Sequence, residues 1–269
     1  MCGSIVLLKY ICNWSGGKDS TASIILAHEN EEPLDIILFA EVMYDHNRGI
    51  SGENPRHMEF INHTAKPLFE SWGYQVVILR SSKDYLGFFN HIIQNPTKHK
   101  EHKGLRFGFP HTRLCGVKRD CKVRAINDFL NTFDEQIIQY IGICPEERKR
   151  LISLHKQENN ISLLEKYGYS EKMAKEKCRE YGLLSPGYEL SARGGCWFCP
   201  NAKLDEHREI RNIFPEIWKE FVSLEKETDV ANPIWNIYGK YTLQEIDRQL
   251  GKDDRNKLCQ PFCFPVTSQ

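Results

Sequence analysis

A glycine pair set between an apolar run and a helix-forming run constrains this chain more than any other feature. The stretch is Trp14-Ser15-Gly16-Gly17-Lys18-Asp19-Ser20-Thr21. Before it, Ile5-Val6-Leu7-Leu8-Lys9-Tyr10-Ile11-Cys12 reads as a buried strand. After it, Thr21 to His28 reads as a helix. Strand, tight bend and helix start gather backbone N–H groups around one point, where the helix dipole adds partial positive charge. Gly16 and Gly17 let an anion approach the backbone, because no Cβ intervenes. Ser15 and Ser20 offer hydroxyl donors, and Lys18 adds a mobile cation. Asp19 suits a helix cap or a magnesium ligand better than a bare phosphate.

This is not the Walker A spacing, which places four residues between its first glycine and Gly-Lys. Residues 15–20 instead resemble the PP-loop, SGGxDS, of the adenine nucleotide alpha-hydrolase superfamily. The resemblance implies an ATP-cleaving, AMP-forming enzyme whose loop, through Ser15, Gly16, Gly17, Lys18, Asp19 and Ser20, holds the departing pyrophosphate. Lys18 and Asp19 would be catalytic, and magnesium would accompany ATP.

The following chain fits an α/β architecture. Leu34 to Val42 reads as a second strand covered on both faces, and residues 74–79 and 134–143 read as two more. Short crossovers between them imply a parallel sheet. The expected fold is therefore a Rossmann-like, HUP-type, mostly parallel sheet sandwiched by helices. A nucleotide-binding domain is expected over 1–150, and a helical, cysteine-containing unit over 151–269. Ligands in such sheets sit beyond the carboxyl ends of the strands.

Beyond the loop, the chain is most similar to the phosphoadenosine phosphosulfate reductase family, in a branch carrying Gly195-Cys196-Trp197-Phe198-Cys199-Pro200. That resemblance spans about residues 5–240. It implies that Glu41, Asp45 and Glu53 lie near the nucleotide, that Arg113 contributes to its binding, and that Lys122 opens a helix beneath it. It also implies that the turn after the fourth strand brings Glu146, Glu147 and Arg148 to the site, or Arg150 if the register slips. The proline expected just after Lys122 is absent. The reductases' C-terminal ECGLH segment is absent too.

The protein has ten cysteines among 269 residues, many for a reducing compartment, so clustered thiols suggest metal or redox chemistry. Cys196 and Cys199 form a CxxC knuckle, and Cys178 lies 18 residues upstream. Three such thiols suit zinc or an iron–sulfur cluster. Relatives with this spacing hold a 4Fe–4S cluster with a fourth cysteine where this chain has Arg208. Cys121 is the preferred fourth ligand; Cys115, Cys259 and Cys263 are alternatives, and a three-cysteine cluster with an open iron is another.

Residues 97–124 carry nine Lys or Arg against two acids, a footprint for RNA or DNA phosphates or for a nucleotide lid. Formal net charge over the whole chain is zero. No apolar stretch approaches a membrane span and no secretion signal is evident, so a cytoplasmic protein is expected. Together these features suggest adenylation of a substrate followed by sulfur transfer from a donor. The alternatives are a thiol-dependent adenylyl-sulfate reductase, and a non-enzymatic nucleotide- or nucleic-acid-binding module with structural zinc.

Overall fold

A computed structural model describes residues 7–111, 115–190, 195–235 and 241–258, without side chains at 189–190 and 253–258. The chain divides into two compact units, 1–88 with 115–197, and 89–114 with 198–269.

The first unit opens with β1 (Leu8–Trp14), a loop, and α1 (Lys18–Glu29). Then come β2 (Ile36–Glu41) and a small hairpin, β3 (Met43–Asp45) with β4 (Ile50–Ser51). Helix α2 (Pro55–Phe60) runs through a π turn at residues 61–65 into α3 (Lys66–Ser71), and β5 (Gln75–Arg80) follows. After α4 (Tyr85–Phe89) the chain enters the second unit, forms β6 (Arg106–Gly108), and returns at Cys115. A π turn at 118–123 leads into α5 (Arg124–Leu130), β7 (Gln136–Ile141), α6 (Arg148–Leu154) and β8 (Asn160–Ile161). Helices α7 (Leu163–Lys166), α8 (Glu171–Glu180) and α9 (Gly187–Leu190) complete the unit.

Five strands form one parallel sheet in the order β5-β2-β1-β7-β8. Alternation along the strands sorts the core into two layers. Cys12, Trp14, Ile37 and Phe39 face a cluster that includes α1 and α8. Ile11, Ile36 and Leu38 face the other side, where Ile126, Phe129 and Leu130 of α5 cover them. All six residues of β2 are buried, as expected for a strand covered on both faces. The order turns around at β1, which has β2 on one side and β7 on the other. That is the position at which open parallel sheets bind ligands.

Helix α1 is buried on nearly every side, from Ser20 through Ala27. Ile24, Ile25 and Leu26 each contribute about 2 kcal/mol by leaving water. Asp19 in its first turn and His28 in its last suit the dipole. Helix α2 starts where the Asn54 side chain accepts from the N–H groups of Arg56 (2.9 Å) and His57 (3.4 Å), with Pro55 at the first helical position.

The expected boundary at residue 150 is not where the chain divides. Leu163, Leu164, Ala174, Cys178 and Leu183 share one apolar cluster with β1, β2 and α1. Burying that apolar edge ties residues 151–190, polar as they are on average, to the first unit. The strand expected over 5–12 runs over 8–14 among the described residues. Strand β8 and the β3–β4 hairpin were not anticipated, being too short to show periodicity.

In the second unit β6 pairs in parallel with β9 (Val230–Asn232). Helices α10 (Leu204–Ile213), α11 (Pro215–Ser223) and α12 (Leu243–Leu258) accompany this pair. Trp218, Phe221 and Trp235 are buried. The Trp218 indole N–H donates to Asp247 at 2.7 Å, and the Arg211 Nε–H donates to the same oxygen at 3.0 Å. Tyr241 is exposed.

Candidate active site

The loop after β1 is held from several directions. The buried Trp14 indole N–H donates to Thr21 Oγ1 at 2.9 Å, tying the strand end to the first turn of α1. Gly16 has φ +69°, and a Cβ there would strike the imidazole of His57. His57 is buried, with Nε2 3.1 Å from the Ser15 carbonyl and Nδ1 2.8 Å from Ser185 Oγ. A carbonyl only accepts, so Nε2 carries the proton and Nδ1 accepts from the Ser185 hydroxyl. Burial pushes the His57 pKa down against the pull of Glu53, which agrees with a neutral ring.

Gly17 caps α1 without any side-chain acceptor. Ser20 Oγ accepts from Ser15 N–H at 3.1 Å and donates to the Gly17 carbonyl at 3.1 Å. Lys18 N–H donates to the Tyr188 hydroxyl at 2.8 Å. No acceptor among the described residues meets the N–H groups of Asp19 and Ser20. These are orphan donors of a helix start, aimed where an anion would sit.

Gly142, directly after β7, explains how closely the second strand end approaches. A Cβ at Gly142 would lie 2.5 Å from Ser20 N. The approach brings the Cys144 thiol to Asp19 Oδ1 at 3.2 Å. Burial and that hydrogen bond hold the Cys144 pKa well above the usual thiol range.

A cleft of about 590 Å³ opens at these strand ends. Its lining cations are largely paired with lining acids. Lys18 Nζ lies 2.9 Å from Asp19 and 2.9 Å from Glu171. Burial alone would lower the Lys18 ammonium, but hydrogen bonds to Asp19 and Glu171 outweigh it and raise its pKa. Lys122 Nζ is 3.6 Å from buried Glu53 and sits over the Phe39 ring, and Arg150 pairs with Glu147 at 2.5 Å. An incoming anion would therefore exchange with carboxylates already present.

Of the residues expected at the site, Ser15, Gly17, Lys18, Asp19, Ser20 and Lys122 line the cleft, and Gly16 shapes it. Glu41 does not line it. Its buried carboxylate accepts from Arg80 Nε at 2.7 Å, at the ends of β2 and β5. Asp45 is likewise elsewhere, bracing its own turn through Asn47 N–H and the Arg48 side chain. Arg148, at the start of α6, does not line the cleft, and Arg150, two positions on, does. Arg113 lies outside the described residues. His57, Gly142, Cys144, Glu171 and Tyr188 went unrecognised in sequence. Only Gly142, closing an apolar strand, carried a local signal.

The thiols are arranged differently from the expectation. Cys178 is completely buried in α8 against α1, where its Sγ–H donates to the Lys18 carbonyl at 3.2 Å. Burial pushes its pKa up to about 12. Cys121 is buried in the π turn before α5, and burial likewise pushes it up to about 12. Among the described residues, no three of Cys121, Cys178, Cys196 and Cys199 bring their sulfurs into one ligand group. As arranged, these four thiols do not together fit a cluster or zinc. Cys196 does reach the cleft edge through the backbone. It bridges to Glu53, and Trp197 N–H donates to the Gly52 carbonyl at 2.9 Å. Cys259 and Cys263 lie outside the described residues. His99, Glu101 and His102 are grouped on a turn of the second unit, among Lys98, Lys100 and Lys103, whose charge opposes a cation.

No protein-family model matches the chain, and no curated protein matches it. Among solved structures it is loosely similar to the U34-tRNA thiolase NcsA from Methanococcus maripaludis with its [4Fe-4S] cluster. The two are 17% identical, with a TM-score of 0.39, over 91% of this chain and 72% of that one.

Proposed function

We propose that the cleft binds ATP, with its phosphates at the start of α1, and that the protein is an AMP-forming adenylating enzyme of the PP-loop type acting in sulfur transfer. The observation that carries this reading is the pair of unpartnered N–H groups at Asp19 and Ser20, set beside Lys18 at the sheet's turning point. A substrate oxygen attacks the α-phosphorus, the bond to the β-phosphate oxygen breaks, and pyrophosphate leaves with the electron pair. Lys18, Lys118, Lys122 and Arg150 line the space where that charge builds. Magnesium bound with ATP would draw on Asp19 and neighbouring carboxylates, releasing their cations to the phosphates. A sulfide-level donor then adds to the activated carbon and AMP departs.

The acceptor is a proposal at the level of class. Exposed Lys98, Lys100 and Lys103 support an RNA or DNA acceptor held by its phosphates. No helix among the described residues is long and apolar enough to cross a membrane, which is compatible with the cytoplasmic location we propose.

The direct test is pyrophosphate release from ATP. Asp19→Ala should lose it with the fold intact, and release of ADP would exclude the scheme.

The bridge between Cys196 and Glu53 favours a second reading, thiol-dependent reduction of an adenylyl sulfate. A thiolate attacks the sulfate sulfur, AMP leaves, and a thiosulfonate forms. A second thiol, such as Cys199, then displaces sulfite as a disulfide closes. Sulfite release without ATP, lost in Cys196→Ser, would select this reading over adenylation.

A further inference from the structure

Tyr188 occupies a position that the adenylation reading reserves for the ligand. Its hydroxyl oxygen lies 2.8 Å from Lys18 N, at the open end of α1. A Cβ on Gly17 would come within 3.1 Å of the same oxygen, so the phenol sits directly against the loop backbone. Lys18 Nζ lies 6.0 Å from the centre of its ring. Burial pushes the phenol pKa up, so the group is a neutral hydroxyl. It is a modest acceptor on a donor that a phosphate oxyanion would bond more strongly.

The segment carrying Tyr188 is fastened at a second point on the same loop. The Ser185 hydroxyl donates to His57 Nδ1 at 2.8 Å, and His57 Nε2–H donates to the Ser15 carbonyl at 3.1 Å. Tyr188 N–H donates to the Ser185 carbonyl at 3.0 Å, and Gly187 N–H approaches Ser185 Oγ at 3.3 Å. The links close a ring of contacts from Ser15 through His57, Ser185 and Tyr188 to Lys18. Ser185 and His57 are both buried, so this side of the ring is a fixed anchor, while the Tyr188 side lies in the cleft.

We propose that Tyr188 is the resting occupant of a phosphate subsite: its hydroxyl holds Lys18 N–H until a phosphate oxygen displaces it, and Ser185 on His57 positions it to do so. The inference rests on the reading above only in requiring that a phosphate binds at this loop. Displacement trades one neutral hydrogen bond for a charge-assisted one, so the latch weakens binding without abolishing it. Tyr188 and Ser185 are positioning residues here and take no part in bond breaking.

The test uses inorganic pyrophosphate as the probe, with calorimetric titration of the full chain. Tyr188→Phe keeps the ring and removes the competing hydroxyl, and a thermal melt confirms that the variant is folded. The expected result is pyrophosphate binding about fivefold tighter than wild type, as for one net hydrogen bond. Ser185→Ala should give part of that gain, and Ser185→Ala added to Tyr188→Phe should give no more than Tyr188→Phe alone, since both act through one contact. Unchanged, weaker or absent binding in Tyr188→Phe overturns the proposal, as does full additivity of the two changes. Turnover separates this from the wider reading. Tighter pyrophosphate binding with no pyrophosphate release from ATP keeps the latch and removes adenylation. Pyrophosphate release from ATP with no gain in Tyr188→Phe does the reverse.

Discussion

The loop at 15–20 and the cysteines at 121, 178 and 196 were both legible as motifs, yet only the loop is assembled as its spacing implies. The loop draws its donors from consecutive backbone, so a strand, two glycines and a helix start suffice to build it. A thiol centre needs side chains from distant segments to converge, and Cys121 and Cys178 are each buried in a different place. Two thiols contact the same turn of α1 and make the point sharply. Cys144 faces the cleft and bonds Asp19, whereas Cys178 lies in the core and bonds the Lys18 carbonyl. Sequence spacing favoured the second and passed over the first.

The contrast can be broken most forcefully at Gly16. Gly16→Ala places a Cβ against His57 at a φ that side chains avoid, and should cost about 3 kcal/mol of stability together with nucleotide binding. Urea unfolding and ATP titration would check it. A stable, active variant would mean that the loop is not held as described.

Cys178→Ala tests the other side of the comparison. It should lower stability by about 2 kcal/mol through the lost contact and the small void, and leave the metal content of the purified protein unchanged. Loss of bound zinc or iron in that variant would restore Cys178 as a ligand and dissolve the contrast.

Arg150→Ala should weaken ATP binding about tenfold, roughly one charge-assisted hydrogen bond, while Arg148→Ala stays within about twofold. The reverse order would return the family-derived register.

The smallest effect concerns pH. The folded-state pKa of His57 is lowered, so the native protein binds its proton less readily than the unfolded chain. The neutral ring's contribution is complete above the unfolded value of about 6.5 and is lost as pH falls toward the lowered folded value. Stability measured by urea unfolding should therefore decline on acidification from pH 7, and His57→Gln should flatten that part of the profile. Identical profiles would show that folding leaves the proton affinity of His57 unchanged.

Much of the fold followed from local pattern. The apolar run at 34–42 became β2 because a strand buried on both faces leaves continuous hydrophobic sequence, and the runs at 74–79 and 134–143 became β5 and β7, which are largely half-buried. Glu41 and Asp45 show where such reading stops. The resemblance implied that both lie near the nucleotide, but both are buried acids that Arg80 and the Asn47–Arg48 turn satisfy away from the cleft. For Glu41 the partner stands 39 residues away in the chain, a choice that leaves no trace in spacing.

By itself the sequence determined the parallel sheet, the glycine bend after its first strand, and the presence of Lys18, Asp19 and Lys122 at one edge. Those properties arise from hydrophobic periodicity and from the backbone geometry of glycine, which act over a few residues. Only the tertiary structure decided that Tyr188, His57, Cys144 and Arg150 would meet that bend, and that Cys178 would serve the core instead. Such meetings depend on how helices and strand ends pack across the whole unit, where burial of apolar surface sets positions and polar side chains take the partners left within reach.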